Sequence, residues 1–235
     1  MTGVRFGTKH SYDDFGLILS KKEITLPDPK TETVNVFGRD GLLDLSEGLT
    51  DDIKFKNRKL TFTFTVPNGL TYWTSALSSI SNYLHGRKMQ IILDADKTFY
   101  YYGRCTIDQF KSDKRLATIV VVCDVEPYKI EVNGAGMPWM WDTFSFVNGI
   151  IHVNTVTLKN NESVTLNLIN LKKKVSPTVT TTGKIKFTFN DFSETFTGKK
   201  TLVDVRLTEG DNNVTITCLD ANGASVNIAY KGGSL

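Results

Sequence analysis

The feature that most constrains the fold is a strict alternation of apolar and polar side chains, which is clearest in Leu60 to Val66, LTFTFTV. Successive side chains of a β-strand point to opposite faces, so this pattern predicts a half-buried strand with its apolar face toward a core. The same period of two returns many times along the chain. The sequence therefore predicts an all-β protein built from short strands.

Turn residues separate the predicted strands of the first half. Residues 33–36 and 42–45 flank FGRDG, in which Gly38, Asp40 and Gly41 supply the turn chemistry of a hairpin. This segment therefore predicts two short strands joined by a tight connection.

A second hairpin and a buried strand are predicted further along. Residues 89–93 and 99–105 flank DADK, and residues 116–125 have the β-branched composition of a well-buried strand. DADK has the start of a calcium-binding loop but lacks its glycine and closing glutamate. We therefore interpret DADK as a hairpin turn.

One segment, TSALSSISNYLHG, predicts a short helix. Thr74 is expected to cap its start, and Gly86 stands where a helix usually ends. Leu77, Ile80 and Leu84 fall on one face of such a helix.

The composition and the apolar-polar alternation of the sequence change after CDVEPYKI. Residues 127–149 are rich in Gly, Trp, Met and Pro without a clear period, and alternating segments then resume. We place a domain boundary here, with domains at 1–130 and 131–235. Many short strands at regular spacing predict an antiparallel β-sandwich in the second domain. The predicted strands are residues 156–158, 164–171, 177–182, 185–189, 194–196, 202–207, 214–219 and 225–230.

Charge and composition narrow the possible classes of protein. The positive excess of three charges is shared between the two halves, so no basic arm or acidic tail indicates a nucleic-acid or membrane partner. No apolar signal core follows Met1, and the longest apolar run, residues 117–122, is too short to span a bilayer. We expect a soluble protein made inside the cell. Its three cysteines, too few for a disulfide framework, are interpreted as buried thiols on strands.

The segment GTKHSYDDFGL, residues 7–17, brings an imidazole and two carboxylates close together in sequence. Such groups could perform acid/base chemistry if their pKa values were shifted. The same residue types, however, usually form turns, because Ser and Asp side chains bond nearby backbone and Gly16 accepts a positive φ. We favour the turn.

Other chemical sites find little support in the sequence. His10, His85 and His152 are far apart, and none has a cysteine or carboxylate at ligand spacing, so no metal site is predicted. The adjacent carboxylates Asp51 and Asp52 would point to opposite faces of a strand. We therefore predict no catalytic residue, no cofactor and no enzyme activity.

A carbohydrate-binding module is the alternative function. Trp139 and Trp141 are two residues apart, so on an extended strand both indoles would face the same way, as a sugar-stacking platform requires. The other interpretation is that they cover the sandwich core or a seam between the domains, because large aromatic side chains dominate such burial.

The order of several motifs resembles the distal tail proteins of long-tailed, non-contractile bacteriophages. These motifs are FGTKHSYDDFGLIL, VFGRDGLLDLSEGL, IKFKNRKLTFTF, the single helix, ILDADKTFYYYGRC and CDVEPYKI, followed more loosely by LTEGDNNVTI and VNIAYKGG. The resemblance implies an N-terminal β-domain, sandwich-like or barrel-like, that forms a hexameric ring at the tail tip. It also implies a C-terminal galectin-like β-sandwich.

The resemblance implies a structural virion protein of the phage tail tip, made in the bacterial host cytoplasm. Its expected partners are its own copies, the tail tube protein, the tail-tip hub protein and a receptor-binding protein, with DNA passing through the ring and no membrane contact. The resemblance also implies that the two glycine-containing turns form an assembly motif. The residues of that motif are Ser11, Tyr12, Asp13, Asp14, Phe15, Gly16, Gly38, Asp40 and Gly41.

Overall fold

The computed structural model describes residues 3–48, 52–67, 70–112, 116–136 and 155–235. The chain divides into two compact units. The first unit contains residues 1–96, 100–129 and 235, and the second contains residues 97–99 and 130–234. No helix within the described ranges is long and apolar enough to cross a membrane.

The first unit is built on one antiparallel sheet and a separate hairpin. The sheet has the strand order β2-β1-β7-β8-β9-β6-β3, and β4 pairs with β5 in the separate hairpin. The strands are β1 (Val4–Phe6), β2 (Lys9–His10), β3 (Ile18–Ile24), β4 (Thr33–Asn35), β5 (Leu42–Asp44), β6 (Arg58–Val66), β7 (Arg87–Leu93), β8 (Asp96–Ser112) and β9 (Ala117–Val125).

The core of the first unit follows from the alternation in the sequence. On β6 the side chains of Leu60, Phe62 and Phe64 are fully buried, while the threonines between them are partly exposed. The Phe6 ring meets the Phe62 ring edge-on, with the centroids 5.9 Å apart. The predictions of a strand at residues 60–66 and of hairpins at FGRDG and DADK are confirmed.

Helix α1 (Leu70–Leu84) packs against this core but begins earlier than predicted. Thr74 lies inside the helix and does not cap its start. The reason is that the buried Trp73, about two turns before Ile80, extends the apolar face of Ile80 and Leu84 toward the N-terminus. The predicted end is confirmed, since Gly86 follows the helix with a φ of 78°.

The second unit is also antiparallel. Its main sheet has the strand order β11-β16-β13-β15-β12, and β14 pairs with β13. Two short strands outside this sheet, β10 (Lys129–Glu131) and β17 (Gly233–Ser234), pair with each other. The strands of the main sheet are β11 (Thr155–Leu158), β12 (Ser163–Asn170), β13 (Thr178–Phe189), β14 (Phe192–Thr201), β15 (Gly210–Cys218) and β16 (Ala224–Ala229).

Strand β13 corrects one prediction. Residues 177–182 and 185–189 were expected to be separate strands, but they form one strand whose register shifts between Thr181 and Ile185. Before the shift β13 pairs with β16, and after it β13 pairs with β15. The Thr181 hydroxyl donates to the carbonyl of Gly183 at 2.9 Å, so the irregularity bends the strand without ending it.

The predicted strand at residues 202–207 is also wrong. This segment is a turn that holds only an isolated bridge between Leu207 and Val175. Leu202, Val205 and Leu207 are buried, whereas Val203 is 65% exposed. Because this burial does not alternate, the segment fills the core from a loop.

Among the described residues, the predicted class, all-β with one short helix, is confirmed.

Candidate functional site

The N-terminal turn, residues 11–15, joins β2 to the segment that leads into β3. The Ser11 hydroxyl is buried and accepts a hydrogen bond from the backbone N–H of Val4 at 3.0 Å. The Asp14 carboxylate accepts from the N–H of His10 at 2.6 Å, and Gly16 has a φ of 63°. These side chains therefore hold backbone groups of a turn, as the residue types predict.

His10, the last residue of β2, is buried directly before this turn. Its Nδ1 lies 3.0 Å from Asp13 Oδ2, and its Nε2 lies 3.0 Å from Asp94 Oδ2. The same Asp94 oxygen accepts the N–H of Gly3 at 2.7 Å. Because Ser11 is fully buried and its hydroxyl accepts a backbone N–H, this group of side chains orders the chain.

Asp94 is the member of this cluster that sequence reasoning missed. It belongs to DADK, whose sequence predicts only a hairpin turn, and it is 84 residues away from His10 in sequence. No local pattern connects the two residues. The pairing of β1 with β7, in which Val4 is opposite Leu93, brings them together.

The aromatic residues of the turn differ in their surroundings. Phe15 is buried and packs against Tyr83 of α1, with the ring centroids 5.6 Å apart. The Tyr83 hydroxyl donates to the carbonyl of Phe6 at 2.8 Å. Phe15 thus ties the turn to the helix and the first strand, whereas Tyr12 is exposed.

The second part of the predicted motif lies in a hairpin that we call the arm hairpin, residues 33–45. Val34 is opposite Leu43 and Asn35 is opposite Leu42 across β4 and β5. Gly38 and Gly41 have φ angles of 80° and 77°, which favour glycine at both positions of the connection.

The arm hairpin exposes apolar side chains. Phe37 is fully exposed and Leu42 is 60% exposed. Val34, Val36 and Leu45 are also exposed. Apolar side chains grouped on one exposed hairpin are typical of a protein-protein contact surface, because their burial against a partner removes them from water.

Asp44 and Ser46 fix the end of the arm hairpin. The Ser46 hydroxyl and the Ser46 N–H both donate to the Asp44 carboxylate, and these hydrogen bonds lower the pKa of that carboxyl. The Ser46 hydroxyl also accepts the N–H of Glu32 at 2.8 Å, which links the two ends of the hairpin.

Other predicted site residues give no chemical cluster. Trp139, Trp141 and His152 lie outside the described residues. Within residues 3–48, 52–67, 70–112, 116–136 and 155–235, no group of three or more His, Cys, Asp or Glu side chains is placed to hold a metal ion. Asp40 lies exposed in the connection of the arm hairpin.

Comparison with known proteins gives a match in structure. No protein-family model matches the chain, and no curated protein matches it. The fold is similar to that of the SPP1 Dit (gp 19.1) protein, whose crystal structure is described as a paradigm of the hub adsorption apparatus in phages that infect Gram-positive bacteria. The TM-score is 0.64 at 11% sequence identity, with 98% of this chain and 99% of that chain covered. The fold expected from the resemblance to distal tail proteins is thus confirmed.

Proposed function

We propose that the chain is a structural protein of a phage tail tip, with the role of a distal tail protein. The observation that carries this proposal is the shared fold with SPP1 Dit, because it covers nearly the whole of both chains. Since fold alone does not fix function, the proposal also draws on the exposed apolar side chains of the arm hairpin.

The proposed mechanism is geometric. Identical copies make head-to-tail contacts, and such contacts close into a ring when the rotation between neighbours divides the circle. We propose a hexameric ring that joins the tail tube to the tail-tip hub and leaves a channel for DNA. Strand β3, the last in the order of the first unit's sheet, and the arm hairpin provide backbone and apolar groups for these contacts.

The two parts of the chain are proposed to have different tasks. We assign ring formation to residues 1–130, because they carry the N-terminal turn and the arm hairpin. We assign a galectin-like sandwich to residues 131–235, as a platform for a receptor-binding protein. Binding of cell-wall glycans is the competing task for this part, and no described side chain favours it over the structural role.

The oligomeric state of the purified full chain tests the proposal. We expect a six-fold mass by light scattering and ring-shaped particles by negative-stain electron microscopy. If the chain is monomeric alone, co-expression with a tail-tip hub protein is expected to yield rings that contain both proteins. A single-chain mass in both preparations, at every concentration up to the micromolar range, would overturn the proposal.

A further inference from the structure

Two of the three cysteines face each other inside the first unit. Cys105 on β8 is directly opposite Cys123 on β9, and both side chains are fully buried. Their sulfur atoms are 3.1 Å apart, with the Cys123 thiol donating to the Cys105 sulfur. The third cysteine, Cys218, lies on β15 of the second unit and donates to the carbonyl of Asp220.

The ladder between β8 and β9 places this pair at a favourable position for a covalent bond. The N–H of Glu126 donates to the carbonyl of Tyr102, so these opposite residues form a hydrogen-bonded pair. Hydrogen-bonded and non-hydrogen-bonded pairs alternate along an antiparallel ladder. Cys105 and Cys123 form the third pair after Tyr102 and Glu126, so they are a non-hydrogen-bonded pair. In such a pair the Cα atoms are about 4.5 Å apart, which lies within the range that a disulfide spans.

We propose that Cys105 and Cys123 are a redox modification site, which a low-molecular-weight disulfide oxidises to a cross-strand disulfide that staples β8 to β9. One cysteine, as its thiolate, attacks a sulfur of the small disulfide and expels one small thiolate. The second cysteine, also as its thiolate, then attacks the first cysteine's sulfur in the mixed disulfide and expels the second small thiolate. The two protein thiols lose two protons and two electrons, and the small disulfide is reduced to two thiols.

The surroundings of the pair make this reaction slow in the folded protein. The hydrogen bond to Cys105 and the burial of the side chain raise the pKa of the Cys123 thiol, so the thiolate needed for attack is scarce. Oxidation therefore requires local opening of the β8–β9 ladder. Folding in the presence of the oxidant removes this barrier, because the bond then forms as the strands pair.

The test uses the full chain and oxidised glutathione in two arms. In the first, the reduced native protein is incubated with the oxidant. In the second, the protein is refolded from urea in a mixture of reduced and oxidised glutathione. Peptide mass mapping is expected to show Cys105 linked to Cys123, with a loss of two hydrogens, fastest in the refolding arm. The number of free thiols is expected to fall from three to one.

Matched variants identify the cysteines that react. C218S is expected to retain the linkage, whereas C105A and C123A are each expected to abolish it. The linked form is expected to melt about 5 °C or more above the reduced form, because the bond closes a loop in the unfolded chain. The proposed Cys105–Cys123 site would be contradicted by glutathione adducts alone, by a disulfide to Cys218, or by three free thiols after both arms. If the linked form has the same melting temperature as the reduced form, the proposed stabilisation of the β8–β9 pairing is wrong.

Discussion

The carboxylate of Asp94 and the imidazole of His10 meet at 3.0 Å across the first unit, although 84 residues separate them in sequence. The same carboxylate oxygen accepts the N–H of Gly3. Asp94 thus connects the tight turn between β7 and β8 to the start of β1 and to the N-terminal turn. Its removal leaves polar groups of the turn without their acceptor.

Substitution of Asp94 is therefore expected to destabilise the first unit. Asp94→Ala leaves the Gly3 N–H and the Nε2 atom of His10 without their carboxylate partner, which costs about 1–3 kcal/mol of unfolding free energy. Urea denaturation measures the loss. Asp108→Ala is the control, because Asp108 is an exposed carboxylate on β8 and its removal should change stability by no more than about 0.5 kcal/mol. Equal effects of the two substitutions would contradict this role of Asp94.

Gly103 is expected to tolerate no side chain. A Cβ atom at this position would lie 2.1 Å from the carbonyl oxygen of Asp124 and 2.4 Å from the Cα of Val125, both of which are backbone atoms. Gly103→Ala should therefore destabilise the protein by roughly 1–3 kcal/mol or more, since strands β8 and β9 must separate locally. Thermal unfolding monitored by circular dichroism checks this, with Gly48→Ala as a milder control. A melting temperature unchanged from that of the parent would show that the strands are less closely packed here.

The stability of the second unit is expected to fall at alkaline pH through Tyr230. Burial, together with the nearby Glu131 carboxylate, raises the pKa of the Tyr230 phenol above its ordinary value of 10.0. Because the folded-state pKa is the higher one, the contribution to stability is complete below pH 10 and is lost as the pH rises through the folded-state value.

Comparison of the parent chain with Tyr230→Phe isolates this effect. The Tyr230 hydroxyl donates to the carbonyl of Ile169 at 2.8 Å, so the variant should lose about 1 kcal/mol at neutral pH. Between pH 10 and 12 the difference in unfolding free energy between the two proteins should shrink. A difference that stays constant over this range would mean that ionisation of Tyr230 is not linked to folding.

The arm hairpin is expected to control assembly without controlling folding. Phe37→Asp combined with Leu42→Asp places charges on side chains that are fully exposed and 60% exposed, so the monomer should keep its stability within about 0.5 kcal/mol. The same charges should weaken the proposed ring assembly at least tenfold, because they would have to be desolvated at the interface. Light scattering against concentration measures this shift.

Val203→Asp is the matched control for the arm hairpin. Val203 is 65% exposed on the second unit, so this variant places a charge on an apolar side chain about as exposed as Leu42 but outside the proposed contact surface. It should assemble like the parent. If the arm-hairpin variant and Val203→Asp lose assembly equally, general charge repulsion is the cause. If both assemble like the parent, the proposed contacts lie outside the arm hairpin.

Local sequence patterns determined much of this protein. Alternation in LTFTFTV fixed which side chains of β6 are buried, because neighbouring side chains of a strand point to opposite faces. Gly38 and Gly41 marked the connection of the arm hairpin, since both adopt a positive φ that few other residues accept, and the aspartates of DADK marked the turn between β7 and β8. The three cysteines, interpreted as buried thiols on strands, are buried on β8, β9 and β15.

Tertiary contacts decided what these patterns left open. Helix α1 includes an additional first turn because Trp73 is buried in the core. Residues 202–207 form a loop because three of their side chains are buried at positions that do not alternate. The contact of Asp94 with His10 and the facing thiols of Cys105 and Cys123 depend on strand pairing and register, which join residues distant in sequence. Local patterns fix which face a residue presents, and only the assembled sheet decides which partner it meets.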